Sequence, residues 1–189
     1  TTDLDGQVRP MRAAPDLGAD EYPFFSVIPP FPGVVLVYTD SQGLTTTVEV
    51  PAGAVTETLV LTLVPLISPT HPISPGLRFA RHALELDVYR DGRQLPGFAF
   101  LAPVTVTIRY SAADVSGIAE NSLGLYDWTG SGWEDGAHTC LPPAEYLRDL
   151  RGNRLGLPIC HLSQWGMMGS PGALFYDVFL PLVARGGNR

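Results

Sequence analysis

The chain has 189 residues, 45% of them apolar, with 18 Pro, 20 Gly and a net charge of −7. That is enough for one large β-domain or two small ones with a sizeable core, and the acidic balance argues against wrapping nucleic acid or lying on an anionic membrane, both of which need a basic surface. All 12 basic residues are Arg, which rules out a Schiff-base lysine, a phosphate-loop lysine and a Lys–Asn isopeptide crosslink.

Residues 1–23 are polar and Pro-bearing, without a sustained period, and read as an extended arm; "TTDLDGQVRP" looks like a mature amino terminus left by processing. From residue 24 a period of two takes over. "VVLVYT" (34–39) is expected to be a buried strand. "LTTTVEV" (44–50) puts Leu44, Thr46, Val48 and Val50 on one face, "TLVLTLVPL" aligns Leu59, Leu61 and Leu63, and "ALELDVY" aligns Leu84, Leu86 and Val88. In "PVTVTIRY", Val104, Val106 and Ile108 oppose Thr105, Thr107 and Arg109. "SPTHPISPG" (68–76) between them reads as a long rigid loop.

Helical signals are few. "SAADVSGIAENS" is compatible with one turn, and "PAEYLRDLRG" with two, opened by Pro and closed by Gly152. "YDWTGSGW" reads as a hairpin with Trp128 and Trp133 packed across the strands. The expected fold is all-β, an antiparallel β-sandwich over 24–169 with an extended N-terminal arm (1–23) and a C-terminal strand and tail (170–189).

Cys140 and Cys160 are the one available pair. In an oxidising compartment they suit a disulfide worth about 3 kcal/mol by loop closure, the alternative being two buried thiols. No apolar run approaches the roughly 20 residues that span a bilayer. The four histidines, His71, His82, His138 and His161, lack metal-ligand spacing, so no metal and no cofactor is expected. "DLDG" near the start lacks the rest of a calcium loop. There is no Gly-x-Ser-x-Gly elbow, His-Glu-x-x-His helix or Gly-rich phosphate loop.

Two segments resemble known families. "TTTVEVPAGAVTETLVLTLVPL" is similar to the opening of the ZU-type β-sandwich of zonula occludens proteins, netrin receptors and ankyrins, where a strand runs through a Pro-x-Gly-Ala-Val turn into another strand. "SLGLYDWTGSGWEDGAHTC" and "ICHLSQWGMMG" resemble the closing part of related bacterial surface domains and the GPCR proteolysis site of adhesion receptors. The resemblance implies self-cleavage, with His161 as base, Ser163 as nucleophile and Leu162–Ser163 as the scissile bond. The receptor motif has four cysteines, one of them two residues before the His; here there are two, and Cys160 adjoins His161. On a plain strand, Cys160 and Leu162 would face the core and His161 and Ser163 the solvent.

The segment "ALFYDVFLPLV" (173–183) has Leu174, Tyr176, Val178 and Leu180 on one side and Phe175, Asp177 and Phe179 on the other, followed by Pro181 and Leu182. Such a strand needs burial, in its own sandwich or in a neighbour's groove or sheet edge. "VFLPLVAR" resembles a closing motif of secreted proteins of certain filamentous bacteria, which implies export and surface display. The expected function is a secreted, noncatalytic subunit of an extracellular filament or surface layer, polymerising through its terminal strands. The alternatives are the self-cleaving module and a carbohydrate-binding or adhesive domain using Trp128, Trp133 or Trp165.

Overall fold

A computed structural model describes residues 24–172; the arm (1–23) and the assembly strand with Leu174, Phe175, Tyr176, Val178, Phe179, Leu180 and Leu182 lie outside the described residues. Twelve strands are formed within that span: β1 (Phe24–Ile28), β2 (Val34–Thr39), β3 (Thr45–Val50), β4 (Leu59–Leu66), β5 (Arg78–Arg90), β6 (Arg93–Gln94), β7 (Ala99–Arg109), β8 (Gly124–Trp128), β9 (Trp133–Asp135), β10 (Leu147–Asp149), β11 (Arg154–His161) and β12 (Gln164–Gly169). They pair antiparallel into two sheets, one ordered β1-β4-β5-β12-β8-β9 with β6 on β5, the other β10-β11-β7-β3-β2. The molecule is a β-sandwich.

Alternation builds it. Thr46, Val48 and Val50 of β3, Leu59, Leu61 and Leu63 of β4, Leu84, Leu86 and Val88 of β5, and Val104, Val106 and Ile108 of β7 are all buried and fill the space between the sheets. Leu155, Leu157 and Ile159 from β11 and Trp165 and Met167 from β12 complete the same core. Turn chemistry spaces the strands. Between β2 and β3 the Asp40 carboxylate accepts the Gln42 and Leu44 amides, and Gly43 adopts positive φ. Asp91 and Gly92, both at positive φ, form the two-residue connection from β5 to β6, which suits the twist of a tight hairpin.

Three expectations are corrected. The segment "PAEYLRDLRG" is not helical: Leu147, Arg148 and Asp149 pair with Gly156, Leu155 and Arg154, and Asp149 accepts the Gly152 amide in the turn that follows. Sheet pairing with β11 outweighs a short helical pattern that no apolar face supports. The strand β2 is not buried on both faces but lies at a sheet edge, with Val35 and Val37 exposed. In β11 the inward residues are Leu155, Leu157 and Ile159, and Cys160, expected to face the core, is only partly buried; the register with β7 shifts between Ile159 and His161, and beyond the shift Leu162 packs against the core. The one-turn expectation at "SAADVSGIAENS" holds, as a 3-10 turn over Glu120–Ser122.

Candidate functional site

The His161-Leu162-Ser163 segment sits where the chain leaves one sheet for the other. His161 ends β11 in one sheet, Gln164 begins β12 in the other, and Leu162 and Ser163 bridge them. Its surroundings are fixed from several sides. A disulfide joins Cys160 to Cys140, tethering the residue before His161 to the end of a 3-10 turn over Gly136–Thr139. Leu162 packs against the core, and the Ser163 carbonyl accepts the Leu86 amide at 3.2 Å.

His161 Nε2 lies 3.2 Å from Asp127 Oδ2. Asp127 shares the inner face of β8 with Leu125 and is 3% exposed, whereas the His161 side chain is 38% exposed. A carboxylate at the rim of an apolar core needs a partner, and the imidazole supplies it. Ser163 Oγ donates to the Gln164 carbonyl at 3.0 Å, and no hydrogen bond among the described residues joins Ser163 to His161. The structure therefore brings His161, Leu162 and Ser163 to one crossing turn and adds Asp127, while the hydroxyl and imidazole are engaged elsewhere. Asp127 was not legible as a partner, because it stands 34 residues away in sequence and meets His161 only once β8 and β12 pair, Asp127 lying opposite Trp165.

A second histidine stands beside a cleft. Arg81 adopts φ of 60° within β5, at a bulge where Phe79 and Ala83 face Met168 and Gly166. Next to it, His82 lines a cleft together with Tyr38, Asp40, Pro65 and Leu66, which encloses about 400 Å³ with open solvent included. His82 Nε2 lies 3.3 Å from Asp114 Oδ2, and the same oxygen accepts the Ser111 amide at 2.7 Å and the Ser111 hydroxyl at 2.6 Å. Burial acts to raise the Asp114 carboxyl, but the Ser111 hydrogen bonds and His82 outweigh it and hold the group below the usual carboxylate range. Ser, Asp and His meet here in the wrong order for nucleophilic catalysis, since the hydroxyl donates to the carboxylate and not to the imidazole.

The tryptophans settle into packing roles. Trp128 and Trp133 are direct cross-strand partners of the β8–β9 hairpin, with ring centroids 5.6 Å apart, and Trp133 donates Nε1 to the Pro72 carbonyl of the long loop. Trp133 and Trp165 are buried, so neither is the exposed aromatic that carbohydrate stacking needs; Trp128 is half-buried and His71 stacks on its ring at 4.0 Å. Among the described residues no helix is long and apolar enough to cross a membrane. Comparison with known protein families and with curated proteins finds no match to this chain.

Proposed function

We propose that the chain is a secreted, noncatalytic β-sandwich subunit of an extracellular filament or surface layer, joined to its neighbours through the strand-like segment 173–183. The observation that carries this reading is that both sheets and a closed core are built from residues 24–169, while an apolar, two-faced segment with one charge follows. A segment of that composition requires burial, and a core between the sheets already filled by residues 24–169 favours burial against another molecule. The Cys140–Cys160 disulfide suits an oxidising, extracellular setting. Truncation after Gly172 tests the reading: the shortened chain should keep the far-ultraviolet spectrum of a β-sandwich and lose all polymers in electron micrographs. Polymers that persist unchanged would refute it.

The position of His161-Leu162-Ser163 at the sheet crossing, with a carboxylate behind the histidine, favours a second reading as a self-cleaving module. Cleavage at Leu162–Ser163 would require the Ser163 hydroxyl to leave the Gln164 carbonyl and approach both His161 and the Leu162 carbonyl. A denaturing gel under reducing conditions decides it. Loss of a C-terminal fragment of 27 residues that Ser163→Ala prevents would establish cleavage, and a single full-length band would exclude it.

A further inference from the structure

The two flanks of the sandwich are protected unequally. On one flank the sheets end in β9 (Trp133–Asp135) and β10 (Leu147–Asp149), three residues each and carrying Glu134, Asp135, Arg148 and Asp149. Short, charged edges of this kind discourage pairing with another chain. On the other flank the sheets end in β1 (FFSVI) and β2 (VVLVYT), five and six residues without a charge. Phe25 is 67% and Val27 52% exposed on the outer face of β1. Phe24 meets Tyr38 of β2 with ring centroids 4.8 Å apart, making an apolar rim between the sheets. Phe31, in the loop that follows β1, is exposed as well.

We infer that the edge of β1 away from β4, which pairs with no other strand among the described residues, is the acceptor for residues 174–180 of a second copy, an inference that rests on the assembly reading above. The chemistry is complementary. One side of the donor (Leu174, Tyr176, Val178, Leu180) is free of charge and suits the rim at Phe24 and Tyr38. The other side, with Phe175, Asp177 and Phe179, would stand outward beside Phe25 and Val27, where the carboxylate keeps its water. Pro181 lacks an amide hydrogen and ends the pairing, so the bonded stretch is at most seven residues, enough to cover the five of β1.

The placement of the described residues disfavours the same chain as donor. Gly172 donates its amide to Gly117 and Pro171 bridges Ile118, on the β8 side of β12. Gly169 faces Arg78 at the start of β5, whereas Phe24 lies opposite Leu63, which faces Leu86 farther up β5. Because β5 bulges between Phe79 and Ala83, about six residues of strand rise and three strand spacings separate the two points, on the order of 25 Å. A fully extended chain consumes about seven residues over that distance, so a tail leaving Gly172 would spend most of residues 174–180 before it met β1. A second copy has no such limit.

Two full-length variants test the assignment, one carrying Val27→Cys and the other a single cysteine scanned across 174–180. On mixing under mild oxidation, a disulfide-linked heterodimer should form at alternate donor positions, while Val35→Cys on β2 should give little. Phe25→Glu should raise the concentration needed for polymers roughly tenfold or more, as for loss of a buried aromatic anchor, with thermal unfolding unchanged because Phe25 is exposed. Preferential crosslinking to Val35→Cys overturns the inference, as does an intramolecular crosslink in a dilute chain carrying both Val27→Cys and a donor cysteine. So does crosslinking that appears only after residues 1–23 are removed, which would assign the edge to the chain's own amino segment. If the tail proves necessary for polymers yet no donor position links to Val27→Cys, the acceptor is wrong and the assembly reading stands; if polymers survive without the tail, the assembly reading itself falls.

Discussion

Gly136 carries more constraint than any other glycine of the 3-10 turn region. A Cβ built there would stand 2.5 Å from the Trp165 ring, 2.6 Å from the Leu125 carbonyl and 3.0 Å from a Leu157 methyl. Two of those neighbours belong to the fully buried core, so they have little room to yield. Gly136→Ala should therefore destabilise the fold by about 1–3 kcal/mol through overpacking, read as a lower urea midpoint at unchanged slope. Asp114 offers a second residue-scale test. Its carboxyl is held below the unfolded value by Ser111 and His82 in spite of burial, so its stabilising contribution is present above about pH 4 and is lost as pH falls through the folded value. Wild type and Asp114→Asn should differ in denaturant midpoint by about 1–2 kcal/mol at neutral pH and converge in acid. A gap that stays constant down to the acid limit would mean that the charge of Asp114 is irrelevant.

At the scale of elements, the disulfide is the tie that holds the 3-10 turn over Gly136–Thr139 to the end of β11. It closes a loop across 20 positions, and its removal by Cys140→Ser with Cys160→Ser should cost about 3 kcal/mol by the chain-entropy argument, measured as a fall in unfolding temperature. The elements themselves were legible to different degrees. β3, β4, β5 and β7 declare themselves through apolar residues at every second position, because each lays one face in the core. β10 was not legible: Leu147 is exposed and Asp149 spends its carboxylate on a turn amide and on Arg154, so the stretch shows no strand period. Its extended form comes from β11, a partner that only the folded chain supplies. In β11 only Cys160 departs from its reading, since it falls at a register shift between Ile159 and His161 that leaves no mark in composition. At the candidate site, His161, Leu162 and Ser163 were found by local resemblance, while Asp127 was reachable only through the pairing of β8 with β12.

At the scale of the whole molecule, the sandwich class followed from repeated alternation and turn residues, but the order of strands did not. β12 sits between β5 and β8, a placement that depends on which sheet the crossing at Leu162 and Ser163 delivers it to. The asymmetry of the flanks is likewise a property of the assembled sheets: charge lies on the short edges formed late in the chain, and none on the edges formed by β1 and β2. If each tail occupies the β1 edge of the next copy, the offset between Gly169 and Phe24 becomes a measuring stick. Successive subunits then advance by no more than roughly the sum of that span, about 25 Å, about 13 Å for the four linking residues and one strand length of about 17 Å. Any helical polymer of this chain inherits that ceiling as the upper bound on its axial rise per subunit.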